Sequence, residues 1–362
     1  MTVFLVDLEA VETRYTGQWK AHVPKLLEEH GHDVYVIAGP HDIPAATTPG
    51  AFLNFGGTNI YKANQVEQMA RLFTEGRIFK GDHFIFTDAW HPGIINLKYM
   101  SELLDIPVTI HALWHAGSYD PQDFLGRLIG NASWVRHSEK AFFHAIDHNY
   151  FATDFHIDMF CANLLNDGLF ENPWAEEDKT DMIASGKIVR TGWPMEYMPT
   201  TISPFKTKKR DLILFPHRIA PEKQVEIFKD LAAALPQYEW IVCQELGLTK
   251  EAYHTLLGEA KIVFSANLQE TLGISMYEGA LTDAIPMVPN RLSYSEMYAD
   301  VWKYPTEWTE SYSGFLHHKK DLCDKIVEFM TDYDEYAKLV PQQARSLHHD
   351  FFSATELLKN IK

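Results

Sequence analysis

The stretch SANLQETLGISMYEGALTDAIPMVP, residues 265–289, sets Glu270 and Glu278 on either side of Gly273. Carboxylates around a glycine turn serve acid/base hydrolysis, hold a metal, or grip the hydroxyls of a polar ligand. Spacing separates these uses. A helix beginning near Gly273 puts the two backbones about 12 Å apart, at about 1.5 Å rise per residue. The paired carboxyls of a glycosidase stand only about 5–9.5 Å apart. These two therefore flank a long ligand more naturally than one scissile bond. Between them, the amides of Thr271, Leu272 and Gly273 fall at the positive end of the helix, which suits a phosphate.

A second cluster, PHRIAPEK (residues 216–223), supplies cations. Arg218 forks two phosphate oxygens, and Lys223 brings a mobile point charge. Together the clusters describe a pyrophosphate held between cations and a helix N-terminus, with a carboxylate on each side. A nucleotide-sugar has that shape, Glu278 serving the ribose hydroxyls and Glu270 those of the sugar. The plainer reading, in which all four are surface charges, needs four residues to agree by accident. Other chemistries lack their motifs. There is no GxSxG elbow, no GxGxxG after the first strand and no GxxxxGK[ST]. Asp88, His91, His111 and His115 do not follow a compact metal-ligand spacing, so no metal is expected. Asp332 and Asp334, the one DxD pair, fall in a helical tail and read as solvent-facing charge.

The elements that must position these residues alternate. TVFLVDL reads as a strand, GQWKAHVPKLLEEHG as an amphipathic helix stopped by Gly31, and HDVYVIAG as the next strand. A helix around residues 65–73, the strand HFIFTD, a helix over 93–104 and the strand PVTIHAL follow, with YFATDFHIDMF and KIVRTGWP as closing strands and turns. PMEYMPTTISPFKTKKR breaks the pattern as a linker, after which DLILFP, YEWIVC, KIVFSA and AIPMVP alternate with helices over 222–234 and 250–259. The tail from residue 321 is helical and amphipathic. The expected class is α/β, with two doubly wound parallel sheets and ligands at the carboxyl ends of the strands. Gly17 follows the first strand there, as a donor-side position. Asp88, Trp90, His91, Trp114, His115 and Tyr119 follow later strands, aromatics suited to stacking on a sugar or a base.

With 362 residues, 46% hydrophobic and 22% charged, the chain is that of a two-domain globular protein. The 49 acids against 32 bases give a formal charge of −17, which argues against general attraction to nucleic acid or membrane. The densest basic run is KTKKR (206–210), read as a solvated linker or a phosphate contact. Three widely spaced cysteines fit a reducing cytoplasm. MTVFLVDLEA reads as a strand rather than a leader, and no stretch reaches the roughly 20 apolar residues of a membrane span.

At these positions the chain resembles a GT-B glycosyltransferase of the family-four type. HRIAPEK resembles that family's GR-x-x-PEK element, and QETLGISMYEGALTDAIPMVP its E-G-F-G-x-x-x-x-E-A stretch, matching Glu270 and Glu278. LLEEHGHDVYVIAG, VTIHALWH, YFATDF and IVRTGWPMEYMP resemble further segments of it. The chain departs from the family pattern in keeping only Gly17 after the first strand, and in placing Thr271 and Asp283 where the family has glycines. The resemblance implies two Rossmann-like domains facing across a cleft. An acceptor-binding domain spans 1–198, a nucleotide-sugar domain 199–345, and a C-terminal helix (346–362) packs back toward the first domain. It implies retaining, metal-independent transfer without a cofactor, from a UDP-linked donor as co-substrate, with His111, Arg218, Lys223 and Glu270 as catalytic residues. Members that act on lipid carriers present a basic apolar face, which this chain lacks, so a soluble acceptor is expected and no membrane partner. DAWHPG and HALWHAGSYDPQD look similar to glycosyltransferases of large tailed phages, some of which modify hydroxymethylated bases in DNA. DNA is thus one possible acceptor, with residues 206–210 and 317–320 as phosphate contacts, in a host cytoplasm if the chain is phage-encoded. A small molecule or glycan as acceptor, or a non-catalytic nucleotide-sugar or nucleic-acid binding protein, remain the alternatives.

Overall fold

The computed structural model describes residues 1–10, 15–43, 54–165 and 179–362. Residues 11–14, within the segment EAVETRYTGQW that follows the first strand in sequence, lie outside the described residues. The chain forms two compact units, one of residues 1–152, 156–194 and 354–362, the other of 153–155 and 195–353.

The first unit is built on six parallel strands: β1 (Thr2–Val6), β2 (Asp33–Ile37), β3 (His83–Phe86), β4 (Thr109–Leu113), β5 (His148–Phe151) and β6 (Ile188–Arg190). Their order is β2-β1-β3-β4-β5-β6, so it reverses between β1 and β3. Strands buried on both faces are largely apolar, and Phe4, Phe84, Phe86, Ile110, Ala112 and Phe151 fill the core. The helix Thr16–Glu29 buries Trp19, Val23, Leu26 and Leu27, the face its spacing predicts. The helix expected over 65–73 is longer, Phe55–Thr74, because the Asn54 side chain caps it by accepting from Gly57 N at 2.8 Å. The segment read as closing strands and turns instead continues β5 into a helix, Asp154–Phe160, that buries His156, Ile157 and Phe160.

The second unit holds β7 (Arg210–Phe215), β8 (Glu239–Val242), β9 (Ala260–Phe264), β10 (Ile285–Pro289) and β11 (Lys303–Tyr304). All pair in parallel in the order β11-β10-β9-β7-β8, with the reversal between β7 and β9. Asp283 stands at φ 66°, a left-handed conformation in which glycine is at ease and aspartate is tolerated. Its carboxylate gains Lys206 at 2.8 Å, and its carbonyl accepts from Tyr333 Oη at 2.8 Å. The helices Tyr312–Thr331, Val340–Phe351 and Thr355–Lys359 make up most of the tail. Among the described residues no helix is long and apolar enough to cross a membrane.

The first unit carries several buried imidazoles. His111 stacks between His83 and His148 at 5.1 and 5.0 Å and meets His83 and Tyr150 through its two ring nitrogens at 2.8 and 2.9 Å. Burial holds His111 well below the usual histidine range and pushes His91 and His156 down to about 3. These folded values lie below the unfolded one, so the unfolded chain alone takes up protons as pH falls through about 6.5. Stability is therefore full above that pH and drops below it, by up to about 1.4 kcal/mol per pH unit for each histidine. The thermal midpoint should fall clearly between pH 7.5 and pH 5, and less steeply in His111→Asn. A midpoint that stays level over this range would contradict this assignment.

Candidate functional site

In open parallel sheets, ligands bind outside the carboxyl ends where strand order reverses. In the second unit that point lies between β7 and β9, and the two predicted motifs follow these two strands. β7 runs into His217 and Arg218, then the turn Pro221–Lys223. β9 runs into residues 265–273, then the helix Ile274–Leu281. Leu268 N donates to Glu222 O at 2.8 Å, joining the two connections. The buried Lys223 ammonium donates to Gln269 O at 2.5 Å and lies 3.4 Å from the Glu270 carboxylate. Burial would raise the Glu270 carboxyl, but Lys223 and the amides of Gly273 and Leu272 outweigh it and hold the group below the usual carboxylate range. The Leu272 amide, expected to be left for phosphate, points at Glu270 Oε1 at 3.5 Å. Arg218 reaches Glu222 at 2.5 Å and is a third exposed. His217, at about 3 through burial and the nearby Lys223, is neutral, and its Nδ1 lies 3.4 Å from Ser275 Oγ.

Glu278 occupies a different setting on the same helix. Burial raises its carboxyl, while Tyr253 Oη donates to it at 2.9 Å and Lys250 lowers it. The structure thus joins Lys223 to Glu270 directly, sets Arg218 on the adjoining turn, and gives Glu278 its own partners. Gly273 is required twice, by its φ of 74° and because a Cβ would meet Tyr294 Cε1 at 2.6 Å. The sequence reading missed Asn267 within the loop, and Gln224, Arg291 and Tyr294, which hydrogen-bond to residues 265–267. Their only signal was position, just after PEK or β9 or just past β10.

At the carboxyl ends of the first unit, Asp7 accepts from Tyr61 Oη at 2.6 Å and Gln65 Nε2 at 3.1 Å, with Lys20 at 3.5 Å. Glu9 accepts from Thr58. Neither carboxylate was singled out in the sequence. Asp88 pairs with Lys62 at 2.8 Å. Burial alone would raise its carboxyl, yet Lys62 and His115 pull it down to about 2. His115 contacts Tyr15 Oη at 2.7 Å and Thr87 O at 2.5 Å, within a cluster of Tyr15, Trp19 and Trp193. Trp90 Nε1 donates to Glu139 at 2.8 Å, and Glu139 also receives the amide and hydroxyl of Ser118, both at 2.6 Å. Gly17 is the second residue of the helix Thr16–Glu29.

Four expectations need correction. His111 lies in mid-strand, fully buried, with both ring nitrogens engaged, so it touches no substrate from there. Trp114 is a core residue whose Nε1 donates to Asn149 Oδ1 at 2.9 Å. Tyr119 is likewise enclosed, its hydroxyl 2.6 Å from His156 Nε2. His91 is buried against Gln65 at 2.9 Å and the Gly93 amide at 2.9 Å. Alternation along a strand and its exit turn sends such side chains inward as often as outward. Asp88, Trp90 and His115 keep partial exposure. Among the described residues no group of three or more metal-ligating side chains comes together.

No family model matches the chain, and no curated protein does. Solved structures do. Sucrose-phosphate synthase from Thermosynechococcus elongatus superposes with a TM-score of 0.60 at 12% identity, covering 99% of this chain and 97% of that one. HepE of Anabaena, in complex with UDP, gives 0.55 at 13% identity over 98% and 97%. WaaG, a glycosyltransferase involved in lipopolysaccharide biosynthesis, gives 0.54 at 14% identity over 100% and 99%. Against TarM the chain spans 57% of that protein's length, with a TM-score of 0.52. The chain thus has the GT-B fold, two parallel-sheet Rossmann-like units.

Gly273→Ala should cost about 1–3 kcal/mol from the left-handed backbone alone. Urea unfolding of the full chain measures this, and an unchanged midpoint would show that the turn does not need its glycine.

Proposed function

We propose that the protein is a nucleotide-sugar-dependent glycosyltransferase, with a UDP-sugar as the favoured donor. The contact of Lys223 with Glu270 at the β7/β9 reversal, in a chain of GT-B fold, is the observation that carries this reading. Lys223 and Arg218 take the donor diphosphate at the first turn of Ile274–Leu281. Glu270 takes hydroxyls of the sugar, with Thr271, Leu272 and Gly273 shaping the turn. Glu278, paired with Tyr253, takes the ribose hydroxyls.

Transfer on this reading is retaining and uses neither metal nor cofactor. The acceptor oxygen attacks the anomeric carbon on the face from which the diphosphate departs. The carbon–oxygen bond to phosphate breaks, and the hydroxyl proton passes to the departing phosphate. The protein's part is to stabilise charge growing on that phosphate, and losing one preorganised contact of this kind costs about 2.7–4 kcal/mol.

On the acceptor side, Asp88, Trp90 and His115 are the retained candidates, while Gly17, at the start of its helix, belongs to the donor side. We favour a soluble hydroxyl compound in the cytoplasm. Hydroxymethylated DNA is the second acceptor, but several of its expected phosphate contacts are engaged within the second unit. Lys206 pairs with Asp283 at 2.8 Å, and Arg210 pairs with Glu239 and with Glu259 at 2.9 Å. Burial pushes Lys209 down to about 7, and Lys320 pairs with Asp324.

The test is donor turnover, read as nucleotide release from UDP-, ADP- and GDP-sugars with and without hydroxymethylated DNA. Lys223→Ala or Arg218→Ala should lower it at least about 100-fold with the fold intact. Wild-type turnover in either variant would refute the donor assignment. Nucleotide binding without any transfer would favour a binding protein on the same fold.

A further inference from the structure

Gln224 follows Lys223 directly and adopts φ 54°, a left-handed conformation that is strained for a non-glycine residue. Such strain persists where the surroundings over-determine a position. Here the surroundings are two carbonyls. Gln224 Nε2 donates to Ala266 O and to Thr309 O, both at 2.6 Å. Arg291 donates to the same two carbonyls, at 2.8 and 3.2 Å. It also reaches Asn267 O at 2.7 Å, Thr306 O at 3.0 Å and Thr309 Oγ1 at 3.0 Å. Tyr304 Oη donates to Ser265 O at 2.6 Å. Three consecutive carbonyls ahead of Glu270 are thus each held by a side chain from another segment.

We propose that Gln224 and Arg291 are positioning residues, a clamp that fixes residues 265–273 so that Glu270 and Lys223 meet the donor in one geometry. A carbonyl oxygen has two lone pairs, so Ala266 O and Thr309 O each accept both donors at once. The guanidinium's fork suits this task, since several acceptors are held in one plane by one rigid group. Neither side chain touches Glu270. Both act through the loop, and the effect on turnover rests on the donor reading given above.

The test uses the full chain with Gln224→Gly and Arg291→Ala. Gln224→Gly removes the amide while relieving the left-handed strain, which offsets part of the lost hydrogen bonding, so the fold should be retained. Amide hydrogen exchange in residues 265–273 should quicken at least about 10-fold in both variants, without change in β7 to β10. Misplacement by about 1 Å costs about 100-fold in rate. In Arg291→Ala, kcat should fall by about that factor with donor KM within about 3-fold, and added guanidinium should restore most of it. Gln224→Gly should lower kcat about 10-fold. Unchanged exchange in this loop overturns the clamp, as does an activity loss that tracks the unfolded fraction and resists guanidinium. If the wild type releases nucleotide from no sugar donor, the donor reading fails while the exchange result still decides the clamp.

Discussion

The second unit's carboxyl end depends on one buried ammonium. Lys223 gives up water to sit between the Gln269 carbonyl and the Glu270 carboxylate, and burying a charge is tolerable only when it is paired and hydrogen-bonded. That requirement ties the turn after β7 to the loop after β9, the two connections beside the strand reversal. Everything around them serves the pairing. Gly273 lets the chain turn left-handed into the next helix, Tyr294 packs where a side chain on that glycine would go, and Gln224 and Arg291 grip the carbonyls upstream.

The same pairing shows how an acidic protein can concentrate cations at one place. The formal charge is −17, yet the β7/β9 end gathers Arg218, Lys223 and Arg291 with helix-terminal amides. Net charge governs long-range approach, whereas a buried cation a few ångströms away governs a bound phosphate, because screening is weak there. In the basic run at 206–210, Lys206 is paired with Asp283 and Arg210 with Glu239 and Glu259.

Much of the fold was legible. Strands buried on both faces read as apolar runs, and helices such as Thr16–Glu29 and Lys250–Glu259 showed their period and their stops. That Lys223 and Glu270 come together was legible because their motifs combine residue type with spacing. The first unit was harder. His111, Trp114 and Tyr119 have the residue types of a binding site, but composition does not report which way a side chain leaves the strand end, and the sheet turned them inward. Asp7 and Glu9 went unread because their partners, Tyr61, Gln65 and Thr58, lie some fifty residues away. Gln224 and Arg291 escaped for the same reason. Their roles exist only as contacts with carbonyls, and a carbonyl has no residue type.

The central claim is that a diphosphate rests where Lys223 and Glu270 meet. Phosphorus NMR of UDP, ADP and GDP, each titrated with the full chain, tests it most directly. The account predicts that the β-phosphorus signal of at least one nucleotide shifts or broadens on binding, and that Lys223→Ala abolishes the change. No perturbation of any of the three, or one that survives loss of the lysine, would contradict it.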